Sequence, residues 1–292
     1  MNRRIVLTAL FLLAVLIVEF AVFRHLNIKE TVALISLEAE EEWAGVEKAL
    51  QELPEEAPPP QSLRIPIFIY HHIRPYVIGE SARQNQFDIT PELFDQQLAY
   101  LENHGFTTIT LDDLMRDVAS GTTTPALKPV ILTFDDGWEN QYEYAFPLLK
   151  KHHMIGTFYV YTNPIGTRVY FTWDQLREMD AAGMTIADHT LSHPYFKKIS
   201  LDEVRREVVE SKKILEEKLG KPVLHFASPY GYTDENIQKI VREAGYKTAR
   251  TTYKGTYHAK DSLMKLRGIL VNDSLNDFIR TAEEGRVTPP FR

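Results

Sequence analysis

Two adjacent carboxylates, Asp135 and Asp136, follow the strand-like run 130–134 and precede Gly137. Neighbouring side chains on a strand point to opposite faces, so consecutive acids can share one site only where the strand ends. Close like charges also oppose each other's ionisation unless a cation lies between them. One carboxylate on a metal, with the other free to accept protons, would resolve this conflict. A solvated turn or a helix N-cap is the alternative, because Asp and Gly are common in both.

A histidine pair forms the second group of residues that could do chemistry. His189 and His193 are four residues apart, so a helical turn or a compact loop would bring both imidazoles to one side. Two imidazoles and one carboxylate are a common ligand set for a hydrolytic metal that keeps an open position. A histidine pair alone is more often structural or merely exposed. However, this pair follows the predicted strand 184–187, just as the acid pair follows its own strand, and the shared placement favours the metal site.

Alternating strands and helices must position these groups. Short apolar runs predict strands, and amphipathic segments preceded by Thr or Ser caps predict helices. The alternation implies a mostly parallel sheet, whose strands end in polar clusters, as in α/β barrels and open sheets. The predicted strands are 67–70, 107–109, 130–134, 157–161, 184–187, 223–226, 247–252 and 265–271, and the predicted helices are 91–104, 111–118, 140–152, 173–182, 201–219 and 235–244.

Residues 1–23 are predicted to anchor the chain in a membrane. Arg3 and Arg4 precede an apolar run that reaches Phe23, and roughly 19 residues at ~1.5 Å each approach the ~30 Å hydrocarbon core. The basic start favours an N-terminus inside and a translocated remainder. A cleaved signal peptide is the alternative, but its apolar region is usually shorter, and 22–25 is a poor cleavage site. We therefore expect a single-pass protein of the cell membrane, with its domain outside the cytoplasm, rather than a secreted product.

Residues 24–64 are predicted to form a linker. The stretch 38–52 is acidic and favours helix, and the prolines between 54 and 60 then end any helix and extend the chain. Such a segment would hold the following domain, 65–292, away from the membrane surface.

Composition excludes several classes of function. The 292 residues contain no cysteine, which excludes disulfides, thiolate metal ligands and a cysteine nucleophile. The net charge is −7 and no basic cluster occurs, so nucleic acid is not an expected partner. No protein partner can be inferred from the sequence.

The motifs 133–137 and 189–194, together with 145–150, 156–158 and 173–176, resemble the polysaccharide deacetylase family. This is the NodB-homology domain of carbohydrate esterase family 4, and the resemblance covers residues 65–275. It implies an α/β fold, a distorted (β/α) barrel of about seven strands, here preceded by the transmembrane helix and linker. Members of the family remove N-acetyl or sometimes O-acetyl groups from glycans.

Carried over position by position, the resemblance implies a role for each motif residue. Asp136 would bind a divalent metal together with His189 and His193. Asp135 would be the general base that takes a proton from the attacking water. Zinc is the favoured metal, and this ligand set also suits cobalt, nickel or iron.

The third family motif departs from the usual pattern. In residues 226–231, Ala227 stands where the family usually has an arginine that steadies the catalytic aspartate. The Phe-Ala-x-Pro-Tyr-Gly form resembles the branch that deacetylates poly-β-1,6-N-acetylglucosamine. The resemblance implies that Tyr230, flanked by Pro229 and Gly231, supplies a backbone N–H to the oxyanion. A plain tight turn is the alternative for these residues.

The general acid is the second departure. The usual Leu-x-His motif near the C-terminus is absent, and the last histidine, His258, matches it poorly. In the branch just named, the acid comes from the first strand, where His71 occupies the matching place. We therefore expect His71 to protonate the leaving amine, with His72 as the second candidate. Trp138 follows the acid pair and is a candidate for stacking on a sugar ring, with barrel packing as the alternative.

Together these features predict a membrane-anchored, extracytoplasmic, metal-dependent deacetylase of N-acetylglucosamine-containing polysaccharide. Poly-β-1,6-N-acetylglucosamine-type exopolysaccharide is the favoured substrate, and peptidoglycan is the alternative, because the linker would hold the domain near a cell wall. A glycan-binding protein on an inactive scaffold is disfavoured since all three candidate ligands are present. A zinc peptidase is disfavoured because no His-Glu-x-x-His occurs.

Overall fold

In a computed structural model the protein is described over residues 46–53, 57–58, 60–77, 87–122 and 128–284. The predicted membrane segment 1–23 lies outside these ranges, as does most of the predicted linker. No helix within the described ranges is both long and apolar enough to cross a membrane.

The elements alternate along the chain as the hydrophobic pattern predicts. The strands are β1 (Leu63–Arg64), β2 (Ile67–Tyr70), β3 (His72–Ile73), β4 (Asp88–Ile89), β5 (Phe106–Thr108), β6 (Lys128–Phe134), β7 (Thr157–Val160), β8 (Thr185–Asp188), β9 (His225–Ala227), β10 (Thr248–Lys254), β11 (Tyr257–His258) and β12 (Leu266–Leu270). The helices are α1 (46–52), α2 (Pro91–Asn103), α3 (Leu111–Ser120), α4 (Phe146–Lys151), α5 (Trp173–Ala181), α6 (Leu201–Leu219), α7 (Glu235–Glu243) and α8 (Leu275–Glu283).

Seven parallel strands close into a barrel. Their order is β2-β12-β10-β9-β8-β7-β6, and β6 pairs back onto β2, which closes the ring. Strand β5 adds to the outer edge of β6, also parallel. The predicted distorted barrel of about seven strands is confirmed. Because all strands of the ring are parallel, their C-terminal ends meet at one mouth of the barrel.

Side chains alternate between the barrel interior and the layer under the helices. One buried cluster combines Ile67, Ile131, Tyr159, Ala187 and Ala227 from five strands of the ring, which places these residues inside the barrel. The intervening positions belong to the larger cluster that the helices cover. Since the side-chain period of a strand is two, residues two positions beyond an interior residue also face inward.

Stacked aromatic rings join the strands β2, β6 and β7 to helix α2. Phe134 stacks on Tyr70 at 5.2 Å and on Phe158 at 4.6 Å between ring centroids. Phe94 of α2 meets both Tyr70 and Phe134 edge-on. All four rings are buried, and aromatic pairs of this kind contribute about 0.5–1.5 kcal/mol each beyond their area burial. This packing holds the ends of β2 and β6 in place.

Local sequence explains where the helices begin and end. Thr90 caps α2 and Pro91 takes its first position, where a missing N–H costs nothing. Ser200 and Glu203 form a reciprocal capping box at the start of α6, and Gly220 ends it at φ 69°. The predicted helix 140–152 instead opens with a π-helical turn, Gln141–Ala145, before α4.

Part of the segment predicted as a linker packs on the barrel. In α1, the Gln51 side chain donates to the Gly268 carbonyl at 2.9 Å and accepts from the Leu270 N–H at 3.3 Å. Glu47, one turn earlier, is 3% exposed. Strand β1 then pairs antiparallel with β11. The chain before Ile67 is therefore bound to the barrel at two places.

Candidate active site

The acid pair and the histidine pair meet at the mouth of the barrel. Asp136 follows β6 and the histidines follow β8, with only β7 between these strands. The Nε2 atoms of His189 and His193 lie 3.5 and 3.4 Å from Oδ1 of Asp136, and 3.1 Å from each other. All three side chains are buried. Among the described residues these form the cluster of ligand atoms that could hold a metal.

The hydrogen bonds around these side chains aim their free lone pairs at one point. His189 Nδ1 lies 2.8 Å from the Ala227 carbonyl oxygen, which can only accept, so Nδ1 carries the proton and Nε2 presents a lone pair. Trp138 Nε1 donates to Asp136 Oδ2 at 3.1 Å, which leaves Oδ1 facing the imidazoles. Such outer partners are typical of metal-ligating histidine and carboxylate, so the residues fit a divalent metal.

The charge states also suit metal ligation. Burial, together with the neighbouring His189, lowers the pKa of His193 to about 3, so His193 is a neutral imidazole near pH 7. Burial opposes ionisation of Asp136, yet its hydrogen bond to His189 and the nearby His71 and His193 hold its pKa below the ordinary range. Neutral imidazole and ionised carboxylate are the ligand forms that divalent metals bind.

Helix α6 holds the loop that carries His193. Glu207 of α6 accepts from the backbone N–H groups of Leu191 and Ser192 at 3.1 and 2.8 Å, and from the Ser192 hydroxyl at 2.7 Å. The hydroxyl of Thr190 accepts from the His193 N–H at 3.0 Å. The predicted compact loop thus exists, and a buried carboxylate on a neighbouring helix fixes its shape.

Left-handed backbone conformations concentrate in the site. Of the six described non-glycine residues with positive φ, four lie here: Asp136 (74°), Thr190 (81°), His193 (58°) and Tyr230 (55°). Such conformations cost free energy for residues with a Cβ and persist only where surrounding contacts enforce them. At Asp136 the change of conformation ends the strand alternation, so both adjacent acids can face the same mouth.

Asp135 is buried against an arginine from another strand. Arg250 of β10 forms an ion pair with Asp135 Oδ2, and each side chain is 1% exposed. Arg250 pairs in register with Ala227 of β9, the position where the family usually has its arginine. The guanidinium also lies 5.1 Å from the ring centre of Tyr159. Strand β10 therefore supplies the cation that is missing at position 227 of β9.

The other carboxylate oxygen of Asp135 is available for proton transfer. Oδ1 is buried and has no hydrogen-bond partner among the described residues. Gln141 donates to the backbone carbonyls of Asp135 and His71, at 2.5 and 2.7 Å, and so ties together the ends of β6 and β2. A carboxylate held on one side and free on the other suits a general base.

The two first-strand histidines differ in charge. Burial alone would lower the pKa of His71, but the Glu47 carboxylate, 3.1 Å from Nε2, raises it to about 9. Burial lowers the pKa of His72 to about 3, and the Asn140 amide donates to its Nδ1 at 2.9 Å. Near neutral pH His71 therefore carries a proton to give, whereas His72 is a neutral hydrogen-bond acceptor. This difference favours His71 as the general acid.

Trp138 is only 3% exposed. Its indole stacks on Tyr170 at 4.6 Å and contacts the His72 ring at 4.4 Å. Little of its face is left for a sugar ring, and its N–H bond to Asp136 makes it a positioning residue for that ligand.

The Pro229–Gly231 turn lies beside the histidines. The Tyr230 ring is 4.6 Å from that of His193, and the Thr252 hydroxyl donates to the Tyr230 carbonyl at 3.3 Å. Gly231 has φ 73°, and a Cβ there would collide with the side chain and backbone of Thr252. The turn is thus pressed against β10, which explains the requirement for glycine. His258 is buried, with Nε2 3.0 Å from the Ile65 carbonyl oxygen.

A family model described as polysaccharide deacetylase matches residues 122–249, from before β6 into β10. This range contains the acid pair, the histidine pair and the Pro-Tyr-Gly turn. The part of the chain that carries the site is therefore a polysaccharide deacetylase domain. It is accordingly a carbohydrate esterase that acts on carbon–nitrogen bonds other than peptide bonds.

Three curated relatives extend the comparison of this deacetylase. YxkH of Bacillus subtilis, named for the same family, is 25% identical over 213 residues, 73% of each chain. A peptidoglycan-N-acetylglucosamine deacetylase of Bacillus cereus is 30% identical over 122 residues, 41% of this chain and 55% of the relative. Poly-beta-1,6-N-acetyl-D-glucosamine N-deacetylases of Staphylococcus aureus strains are 24% identical over 200 residues, 61% of this chain and 68% of theirs.

A solved structure shows the same fold. The Streptococcus pyogenes deacetylase PplD, determined in complex with acetate, superposes with a TM-score of 0.71 at 29% identity, over 76% of this chain and 99% of PplD. The likeness extends over nearly all of PplD, so the barrel described here is that of a deacetylase domain.

Several functional residues of this deacetylase were not predicted from its sequence. Arg250 carried one signal, since it is a cation in the middle of the predicted strand 247–252. Glu207 and Gln141 carried none, because each looks like an ordinary residue of a solvated helix face. Glu47 lay in the predicted linker, where an acidic residue draws no attention.

Replacing Arg250 by Ala should lower kcat on the order of 100-fold or more, because Asp135 loses the contact that orients it. The same change should destabilise the fold by about 3–5 kcal/mol, since a buried charge is left unpaired. Adding Ala227→Arg to Arg250→Ala restores a cation in the adjacent register position and should recover part of both losses. Steady-state kinetics and urea unfolding measure these effects.

Arg205→Ala is the matched control, because this side chain is half exposed in a surface ion pair with Glu243 and should be close to neutral. An Arg250→Ala protein with wild-type kcat would show that Asp135 does not depend on this partner.

Proposed function

We propose that this deacetylase hydrolyses N-acetyl groups of N-acetylglucosamine-containing polysaccharide in a metal-dependent reaction outside the cytoplasm, with poly-β-1,6-N-acetylglucosamine-type exopolysaccharide as the favoured substrate. One observation carries the proposal. A buried carboxylate with one free oxygen, Asp135, and a histidine whose pKa is raised to about 9, His71, end adjacent strands beside the Asp136–histidine cluster. A carboxylate that can accept a proton and a histidine that can donate one are what amide hydrolysis needs.

Asp136, His189 and His193 would hold the metal, with zinc favoured and cobalt, nickel or iron also suited to the ligand set. When bound, such an ion lowers the pKa of water and polarises the acetyl carbonyl. The three ligands come from rigid strand ends and an anchored loop, so their positions do not depend on substrate.

The residues of the chain account for the proton transfers. Oδ1 of Asp135 accepts a proton from the attacking water as the new carbon–oxygen bond forms. The Tyr230 N–H, in the Pro229–Gly231 turn, would donate to the developing oxyanion. His71 then gives its proton to the nitrogen as the carbon–nitrogen bond breaks, which releases acetate and a free amine. The proton that the leaving amine requires is thus already on His71 before substrate binds.

Two features favour the exopolysaccharide over peptidoglycan. The Phe226–Gly231 motif has alanine at its second position, and the acid comes from the first barrel strand, as in the branch named for poly-β-1,6-N-acetylglucosamine. The staphylococcal relatives of that name align over 61% of this chain, against 41% for the peptidoglycan deacetylase. Peptidoglycan remains the second candidate because the latter relative is 30% identical. The Arg250–Asp135 pair supports catalysis rather than glycan binding on an inactive scaffold.

The purified full-length protein should contain about one divalent metal ion per chain and should release acetate from poly-β-1,6-N-acetylglucosamine oligomers. Asp135→Asn should abolish acetate release but keep the metal, because it removes the base and leaves the ligands. His189→Ala should lose both. Elemental analysis and an enzymatic acetate assay, with chitin oligomers and peptidoglycan as comparison substrates, measure these outcomes.

His104→Ala serves as the control, since this exposed histidine ends α2 and should not affect either measurement. Faster acetate release from peptidoglycan than from the exopolysaccharide would make peptidoglycan the favoured substrate. A metal-free wild type, or acetate release from none of the glycans, would reject the proposed function.

The pH dependence of kcat/KM should reflect His71. The acid must be protonated, so the rate should hold up to the raised pKa and fall as pH increases through about 9. An unperturbed histidine would instead lose its proton near pH 6.5. His71→Gln should lower kcat by about 10²–10⁴-fold and remove the alkaline limb. A limb near pH 6.5 in the wild type would contradict this assignment, and His72→Gln should leave the limb in place.

We also propose that residues 1–23 anchor the enzyme in the cell membrane, with the barrel outside the cytoplasm. The basic Arg3-Arg4 start and the long apolar run support this location. The full-length protein should sediment with membranes and be digested by protease added to intact spheroplasts. Deleting residues 2–23 should move it to the soluble cytoplasmic fraction. Protection of the full-length protein from the external protease would place the barrel inside instead.

A further inference from the structure

We propose that Glu47 on α1 positions His71 as the general acid, so that the segment preceding the barrel completes the active site. This inference rests on the proposed function and names a positioning residue for the same reaction. Glu47 Oε2 lies 3.1 Å from His71 Nε2, and both side chains are buried. With Nε2 engaged by a carboxylate, Nδ1 is the ring nitrogen left to protonate the leaving amine.

Helix α1 is docked so that this contact is maintained. Glu47 and Gln51 are four residues apart and therefore lie on one face of the helix. Gln51 binds the backbone of β12 through Gly268 and Leu270, and also donates to the Thr252 carbonyl of β10. Three backbone contacts of one side chain fix the rotation of α1 and thereby the direction of Glu47.

The remaining neighbours of His71 restrict its ring without replacing Glu47. Phe87, just before β4, stacks on the imidazole at 4.6 Å. Asp135 and Asp136, at the end of β6, act on His71 through their charge, but Glu47 is the strongest of the three influences. The acids of β6 also have Arg250 and the histidine pair as partners. Glu47 also acts on Arg250 through its charge, but it is the carboxylate in direct contact with the His71 ring.

The chemistry of Glu47 argues against a purely structural role. Burying a carboxylate costs several kcal/mol unless it is paired, and an apolar residue would dock a helix more cheaply. A buried acid on α1 is therefore explained by its partner at the catalytic end of β2. General acids in enzymes are commonly oriented by such a third group.

The test compares full-length wild type with Glu47→Gln, Glu47→Asp and the control Glu52→Gln, which is exposed on the same helix. Glu47→Gln should lower kcat about 10–100-fold, since a misdirected acid loses much of its contribution, while KM stays within about twofold because substrate contacts are unchanged. Glu47→Asp keeps the charge and should recover part of kcat. Glu52→Gln should match the wild type.

A second readout does not depend on turnover. In ¹⁵N-histidine NMR spectra of the metal-free full-length protein, the His71 resonance is assigned by its loss in His71→Gln. Its titration midpoint should fall by about one pH unit or more in Glu47→Gln, because burial then acts without the compensating carboxylate. The alkaline limb of kcat/KM should shift to lower pH in the same direction, and Glu52→Gln should leave both unchanged.

The outcomes separate this inference from the function on which it rests. An active wild type, with Glu47→Gln equal to it in kcat and in the His71 midpoint, would overturn the role of Glu47 alone. Equal losses in Glu47→Gln and Glu47→Asp, with an unchanged midpoint, would also overturn it, since helix docking alone would then explain them. A wild type that releases no acetate from any glycan would overturn the proposed function together with this role.

Discussion

The site depends on burying two adjacent carboxylates at the end of one strand. Neither Asp135 nor Asp136 is more than 5% exposed, and two such charges can stay ionised together only if each has its own cation or donor set. In the structure, the two carboxylates have different partners. Arg250 compensates Asp135 from one side, and the histidine pair faces Asp136 from the other. This division gives the two carboxylates their different roles, because only Asp136 is directed at the ligand cluster and only Asp135 keeps a free oxygen.

Barrel closure makes that division possible. The ring of seven parallel strands brings β2, β6, β8 and β10 to one mouth although their residues are distant in sequence. Strand alternation turns Asp135, two positions after the interior Thr133, into the barrel, and the left-handed φ of Asp136 then breaks the alternation. A single strained residue thus changes a strand end into a site with two acids. The surrounding hydrogen bonds, such as that from Trp138 to Asp136, oppose relaxation of this strain.

Much of this arrangement could be predicted from sequence because its signals are local. Hydrophobic periodicity and caps located most of the barrel strands and the helices between them, and α6 was found with its cap at Ser200. Spacing alone brought His189 and His193 together. Arg250 could not be assigned, since its role depends on strand register: it is paired with Ala227, 23 residues away in sequence. The role of Glu47 depends on how helix α1 docks on the barrel, and hydrophobic periodicity does not encode that docking. Strained φ values likewise result from tertiary contacts rather than residue type.

Two buried ion pairs of opposite charges lie at the mouth of the barrel. Glu47 on α1 faces His71, which follows β2, and Asp135, which follows β6, faces Arg250 on β10. Each catalytic group therefore has a partner of its own. Because each is held by a separate buried partner, neither the proposed acid nor the proposed base needs the other as its counter-charge. Glu47 and Arg250, the partners of these two groups, lie outside the recognised motifs. The motifs therefore identify the candidate reacting groups but not the charged residues that hold them.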